Sequence, residues 1–204
     1  MRNCAHGANP PCLPRPEHWA GKGAWAKLAT MPDLDFLHIS LADQCLYGFS
    51  RGRLRVRLPV STGRNGAGEA KGSGCTPRGL HQVRAKIGAG LPLGAVLSRR
   101  RWTGEVWSPA LHAAAPTRDW VLTRILWLCG CERGRNRLGE VDTWRRYIYL
   151  HGTPDTEPMG IPLSHGCVRL RNLDLLALFE RVPAHCPVQI AEAACPQWAF
   201  LNIE

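Results

Sequence analysis

Residues 53 to 60, RLRVRLPV, set Leu54, Val56, Leu58 and Val60 on one side of an extended chain and Arg53, Arg55 and Arg57 on the other. Side chains of a strand point to alternate faces, so this run predicts a half-buried β-strand with one wet face. Two more strand-like runs precede it, DFLHISL at 35–41 and QCLYGFS at 44–50, separated by short turns. Three such runs in succession read as an antiparallel meander. The 21 glycines and 16 prolines among 204 residues favour many turns and short elements over long helices.

Downstream, STGRNGAGEAKGSG is too polar and Gly-rich for a strand and reads as a long loop. TPRGLHQVRAKI resumes an extended pattern, and VLS and GEVWS are short strand candidates around the arginines at 99–101. WVLTRILWL (120–128) is nearly all apolar, so periodicity alone leaves it a buried strand or a short helix. RRYIYLH (145–151) alternates, with Tyr147, Tyr149 and His151 on one face and Ile148 and Leu150 on the other. RNLDLLALFERVP supplies the one convincing helix. Asn172 is its expected cap, Asp174 suits its positive end, and Leu175, Leu178, Phe179 and Val182 form its apolar stripe. CPVQI closes the chain as a strand, and there is no internal repeat. The tally is mainly β: a β-sandwich with one late α-helix, not a βαβ alternation.

A hydrophobic content of 45% is enough for a core, and the length suggests one domain. Net charge is +10, carried by 22 Arg against 4 Lys, which favours anionic partners. No basic run exceeds the RRR at 99–101, and aromatics do not interleave with the charges as a nucleic-acid stacking platform requires. The nine cysteines are odd in number and irregularly spaced, which speaks against a secreted disulfide framework and for a reducing compartment. The first thirty residues hold no apolar core of the secretory type, and no run of ~18 apolar residues exists to span a membrane. The expected organisation is a polar tail at 1–30, a folded unit at 31–193 and a short tail at 194–204, with a foldable start at Met31. A cytoplasmic location follows as the expectation, or a periplasmic one if export uses a route this sequence does not display.

The densest chemistry lies in YLHGTPDTEPMGIPLSHGCVRL, residues 149 to 170. A metal would want paired ligands two to five residues apart from two knuckles; His165-Gly166-Cys167 is too tight, and no second knuckle matches. An inert buried cysteine is the ordinary reading of any single Cys. Cys167, however, has small and polar neighbours, an arginine two residues on and a helix start five residues on, all of which favour a thiolate. His151 at a strand end could meet Cys167 if the glycines and prolines between them fold the loop back, making a nucleophile and its base. Amides around His165, Gly166 and Cys167 could then form an oxyanion site. Residue types alone leave these readings open.

HGT followed by SHGCVRL closely resembles the signature of the L,D-transpeptidase (YkuD) family, and PVSTG (59–63) and TPRG (76–79) resemble that family's substrate-side strand and turn. The resemblance runs from about residue 35 to residue 190. It implies a β-sandwich acting on bacterial peptidoglycan stem peptides, with no metal and no cofactor. A cysteine attacks the carbonyl of the L-centred link before a terminal D-amino acid, D-alanine leaves, and a thioester remains for an amine or water. Carried over, Cys167 is the nucleophile, His151 the proton acceptor and donor, and His165 and Gly166 shape the turn and oxyanion site. Ser164, Gly152, Thr153 and Arg169 are the implied substrate-side residues, with Arg169 holding a substrate oxygen or carboxylate. The implied partner is a stem peptide or muropeptide, bound by a monomer without nucleic acid, and a carbapenem is expected to acylate Cys167. A cytoplasmic enzyme would use water, as an L,D-carboxypeptidase; an exported one would cross-link. The other class of reading is a non-catalytic basic module that binds wall peptide or nucleic acid. The sequence departs from the family pattern in the longer Gly-rich insert, which leaves Cys75 unassigned, and in Leu80, where an aromatic is common.

Overall fold

The structure, a computed structural model, describes residues 33–195. The tail expected at 1–30 lies outside the described residues, as does most of the segment from 194 on; Cys195 is buried against Cys45, Tyr47 and Phe49.

The meander forms as its alternation predicts: β1 (Phe36–Ser40), β2 (Cys45–Ser50) and β3 (Arg53–Pro59) pair antiparallel in order. One detail differs. The β2–β3 register shifts at Gly48/Phe49, so Val56 lies opposite Gly48 but Leu54 lies opposite Phe49. An extra residue in one strand turns every later side chain to the other face. Val56 and Leu58 therefore pack on the main core, while Leu54 joins Tyr47 and Phe49 on the opposite side.

The chain's last strand, β10 (Pro187–Ala191), inserts beside β1 in parallel and beside β4 (Gly79–Ile87) antiparallel. The apolar run at 120–128 resolves as a strand, β7 (Val121–Gly130), buried along almost its whole length. It pairs with β4 and then with two arms, β5 (Ala95–Ser98) with β6 (Arg101–Val106), and β8 (Tyr149–Gly152) with β9 (Val168–Leu170). A strand covered on both faces has no polar face to display, which is why its pattern was ambiguous. The expected strand at 145–151 is shorter than its alternation suggests. Tyr147 takes φ 59° and leaves the ladder, so pairing starts at Tyr149.

A short helix not anticipated, α1 (Pro109–Ala114), is capped by the Ser108 hydroxyl, which accepts from the Leu111 N–H at 3.2 Å. The predicted helix is α2 (Asn172–Arg181), with Leu175, Leu178 and Phe179 buried on its inner face. Asn172 is its first residue, not its cap, and its side chain is used elsewhere. Leu37, Ile39, Leu46, Val188 and Ile190 from one β layer meet Leu150, Val168 and Leu170 from β8–β9 and the stripe of α2 in one core. Two β layers and a single longer helix around one core make the mainly β sandwich expected from the sequence. No helix of the described residues is long and apolar enough to cross a membrane.

Candidate active site

β8 and β9 run parallel, with Leu150 opposite Val168 and His151 opposite Arg169. Leu150 and Val168 face the core. By the two-residue alternation, Tyr149 and His151 of β8 share the other face with Cys167 and Arg169. Extending the register back by one residue puts Cys167, which precedes β9, opposite Tyr149 and diagonal to His151.

His151 is oriented by its own strand end. Its Nδ1 lies 2.8 Å from the Gly152 carbonyl, so Nδ1–H donates there and Nε2 is left as the proton acceptor. Only glycine fits at 152: a Cβ would meet the Asn172 amide oxygen and, at 2.8 Å, the Leu122 carbonyl. Opposite this pair β7 is bulged. Leu122 faces Gly152 and Ile125 faces His151, with Thr123 (φ 69°) and Arg124 extra. The Thr123 hydroxyl donates to Asn172 Oδ1 at 2.6 Å, and Asn172 Nδ2 donates to the Thr153 carbonyl at 2.8 Å. That is the work of the residue expected to cap α2: it ties the bulge, the helix start and the segment after His151 together.

Cys167 is half-buried. Its Sγ accepts from the Tyr149 N–H at 3.4 Å and donates to the Tyr147 carbonyl at 3.4 Å. The left-handed backbone of Tyr147 aims that carbonyl at the sulfur. The turn before Cys167 is closed by the Ser164 hydroxyl, which donates to the Cys167 carbonyl at 2.6 Å and accepts from the Gly166 N–H at 3.1 Å. Gly166 takes φ 118°, and a Cβ there would lie 2.9 Å from the Cys75 carbonyl. Its own carbonyl accepts from the Thr76 hydroxyl at 3.0 Å. Ser164 is buried and spends its hydroxyl on the turn, while Thr153 is also buried and lines a cleft beside His165.

The sequence did not mark Asp119, which sits just before β7. Its carboxylate accepts from Arg169 Nη2 at 2.8 Å and lies 3.5 Å from His165 Nδ1. Burial works to raise this carboxyl, but His151, Arg169 and His165 together hold it below its ordinary value. Arg169 is almost buried, yet its Nε has no partner among the described residues. His165 is exposed and is also bonded by the Arg64 guanidinium through Nε2.

Burial dominates the ionisation of the central pair. It drives His151 down to about 4, against the Gly152 carbonyl and Asp119. It drives Cys167 up to about 12; the Tyr149 N–H, Arg169 and Arg146 oppose this, and Asp119 adds to it. Burial thus works against the thiolate expected from a neighbouring arginine. Desolvation outweighs those charges and favours the neutral thiol and the neutral imidazole.

Two clefts meet at Arg64 and His165, one lined by Arg169 and the other by Tyr147, whose carbonyl accepts from Cys167. One, of about 200 Å³, is lined by Asp119, Arg169, Thr153, Glu157 and Trp120. The other, of about 510 Å³, runs past Tyr147 and Ile148 to the Gly-rich segment at Ser73 and Gly74. Among the described residues no group of three or more His, Cys, Asp or Glu is placed to hold a metal.

The YkuD family, described as the L,D-transpeptidase catalytic domain, matches residues 35–190. Over 47 residues the chain is 47% identical to an Escherichia coli (strain K12) protein named "Probable L,D-transpeptidase YbiS", a stretch covering 23% of this chain and 15% of that relative. The chain is also similar in structure to an L,D-transpeptidase from Mycobacterium smegmatis, with 17% identity and a TM-score of 0.45 over 76% of this chain and 58% of that one. L,D-transpeptidase 3 from Mycobacterium tuberculosis gives 18% identity and a TM-score of 0.47 over 79% and 62%.

Proposed function

The chain belongs to the YkuD family of L,D-transpeptidase catalytic domains, and from that premise we propose that it is a cysteine acyltransferase acting, as a monomer, on the L,D peptide bond of peptidoglycan stem tetrapeptides. The observation that carries this reading is the shared face of β8 and β9. The reading is supported by a register that, extended by one residue, makes Cys167 diagonal to His151, whose Nδ1 donates to the Gly152 carbonyl and leaves Nε2 to take a proton.

The resting pair is neutral, so proton transfer accompanies attack. Cys167 Sγ bonds to the scissile carbonyl carbon as its proton passes to His151 Nε2 and the carbonyl electron pair moves onto oxygen. The Gly166 N–H is already bonded to Ser164, which leaves the amides of His165 and Cys167 as the donors for that oxyanion. Preorganised donors of this kind are each worth about 3 kcal/mol in the transition state. Collapse restores the carbonyl and breaks the C–N bond, and the departing D-alanine nitrogen takes the proton from His151. A thioester on Cys167 remains. Arg169, whose Nη2 is bonded to Asp119 and whose Nε has no partner among the described residues, is the residue to hold the terminal carboxylate of the leaving group. An amine acceptor then attacks the thioester and loses its proton to His151; the C–S bond breaks and Cys167 Sγ takes that proton back, giving a cross-link, and water in the same place gives a tripeptide.

Digestion of a defined tetrapeptide tests this. Release of D-alanine with a dimer shows transfer, and release with a tripeptide shows L,D-carboxypeptidase action. Cys167→Ala abolishes both. D-alanine release that survives Cys167→Ala refutes the assignment, as does a carbapenem that labels other cysteines and spares Cys167.

A further inference from the structure

The larger cleft is charged on one side of the ledger only. Arg64, Lys71, Arg145 and Arg146 line it together with Asn65 and Ser73, and no carboxylate is among its lining residues. Two of these cations are already engaged. Arg64 is bonded to His165. Arg146 clasps the Gly-rich segment, donating to the carbonyls of Gly68 at 3.0 Å, Glu69 at 2.7 Å and Cys75 at 2.6 Å. The acid on that segment, Glu69, is occupied by Arg78 at 2.7 Å.

Lys71 and Arg145 differ. Both are exposed, and among the described residues neither side chain has an ion pair or hydrogen bond. Their backbones are nevertheless held: the Lys71 N–H donates to the Glu140 carbonyl at 2.7 Å, and the Arg145 N–H to Asp142 Oδ1 at 2.9 Å. Two unneutralised cations on anchored backbone, in a groove of about 510 Å³, suit an extended ligand carrying more than one negative charge. The groove opens beside the nucleophile, because Tyr147, whose carbonyl accepts from Cys167 Sγ, lines it. The smaller cleft is of mixed sign, with the carboxylates of Asp119 and Glu157 beside Arg64, Arg118 and Arg169.

Resting on the acyl-transfer reading above, we propose that this basic groove holds the acyl part of the donor peptide, with Lys71 and Arg145 reading its free carboxylates, so that the enzyme selects acidic over amidated stem peptides. The departing residue then lies toward Arg169 in the smaller cleft. The long Gly-rich insert, unassigned by the family resemblance, thereby acquires a role: it carries Lys71 to the groove, and Arg146 keeps it there.

Two measurements separate this proposal from the acyl-transfer reading. The first compares alkylation of Cys167 by anionic iodoacetate and neutral iodoacetamide, with the site read by peptide mass mapping. The iodoacetate-to-iodoacetamide rate ratio falls about tenfold in the Lys71→Ala/Arg145→Ala double variant, and falls in the wild type as salt rises from about 20 mM to about 500 mM. The second compares tetrapeptides with free and amidated side carboxyls. The wild type favours the free acid by about tenfold in kcat/KM, mostly through KM, and the double variant loses the preference. Lys71→Arg/Arg145→Lys restores it, which a misfolded loop would not allow. An unchanged ratio in both measurements, with the tetrapeptide still cleaved, overturns the groove proposal and leaves the acyl-transfer reading standing. Charge-dependent alkylation with neither peptide cleaved overturns the acyl-transfer reading, and with it the donor assigned to the groove.

Discussion

Raising the pH tests the neutral resting pair directly. Burial moves Cys167 from an ordinary 9.0 up to about 12. Each unit removes a factor of ten from the thiolate fraction at neutral pH, so the folded protein holds up to about a thousandfold less thiolate at this residue than the unfolded chain. That is an upper bound, because the sulfur keeps part of its surface in solvent. The assay is iodoacetamide labelling of Cys167 by mass mapping, on the native protein and on the same chain in urea, from about pH 6 to about pH 9. The native rate should lie two to three decades below the unfolded one, on the order of 10²–10³, and climb with each pH unit without levelling. In turnover the counterpart is His151, lowered from 6.5 to about 4. The neutral imidazole is the competent base, so kcat/KM should stay level down through pH 6.5 and fall only well below it. A labelling rate that levels off below about pH 7, or an acid limb of kcat/KM near the ordinary histidine value, would show a preformed thiolate–imidazolium pair and refute this reasoning.

Two other predictions concern stability. Gly152→Ala places a methyl against the Leu122 carbonyl at 2.8 Å and the Asn172 amide, neither of which can withdraw without breaking the Thr123–Asn172–Thr153 chain. A loss of about 2–4 kcal/mol in urea unfolding is expected, and a change below about 0.5 kcal/mol would mean that the bulge yields freely. His81 and His151 are both buried and neutral, each lowered to about 4 from 6.5. Between those values the unfolded chain binds protons that the folded one does not, so stability declines as pH falls through that window, by on the order of 1–3 kcal/mol per unit. Urea midpoints measured at about pH 7 and about pH 5 should drop accordingly, and a constant or rising midpoint contradicts the burial of these imidazoles.

Much of the fold, and the motifs from which the candidate site was read, were legible because short-range order writes them. Alternation along 53–60 and 145–151 and the stripe on 172–182 follow from the periods of strand and helix, and the HGT and SHGC residues needed only to be noticed. What escaped was set by partners far along the chain. Asp119 reaches Arg169 across 50 residues, and no local pattern in the PTRDW segment announces it. The bulge at Thr123, the shifted β2–β3 register and the truncated start of β8 come from pairing with particular neighbours, which one strand cannot reveal. Asn172 looked like a cap because its type favours caps; the helix began one residue earlier, and its amide went to the bulge.

By itself, then, the order of residues determined the mainly β architecture, the late helix and the motifs that carry the family resemblance, since each rests on spacing within a few neighbours. Tertiary structure alone decided the burial that governs the ionisation of His151 and Cys167, the contact of Asp119 with Arg169 and His165, and the basic groove nearby. Desolvation depends on every atom packed around a group, and a Coulombic field on every charge nearby in space. Neither is a property of any stretch of chain.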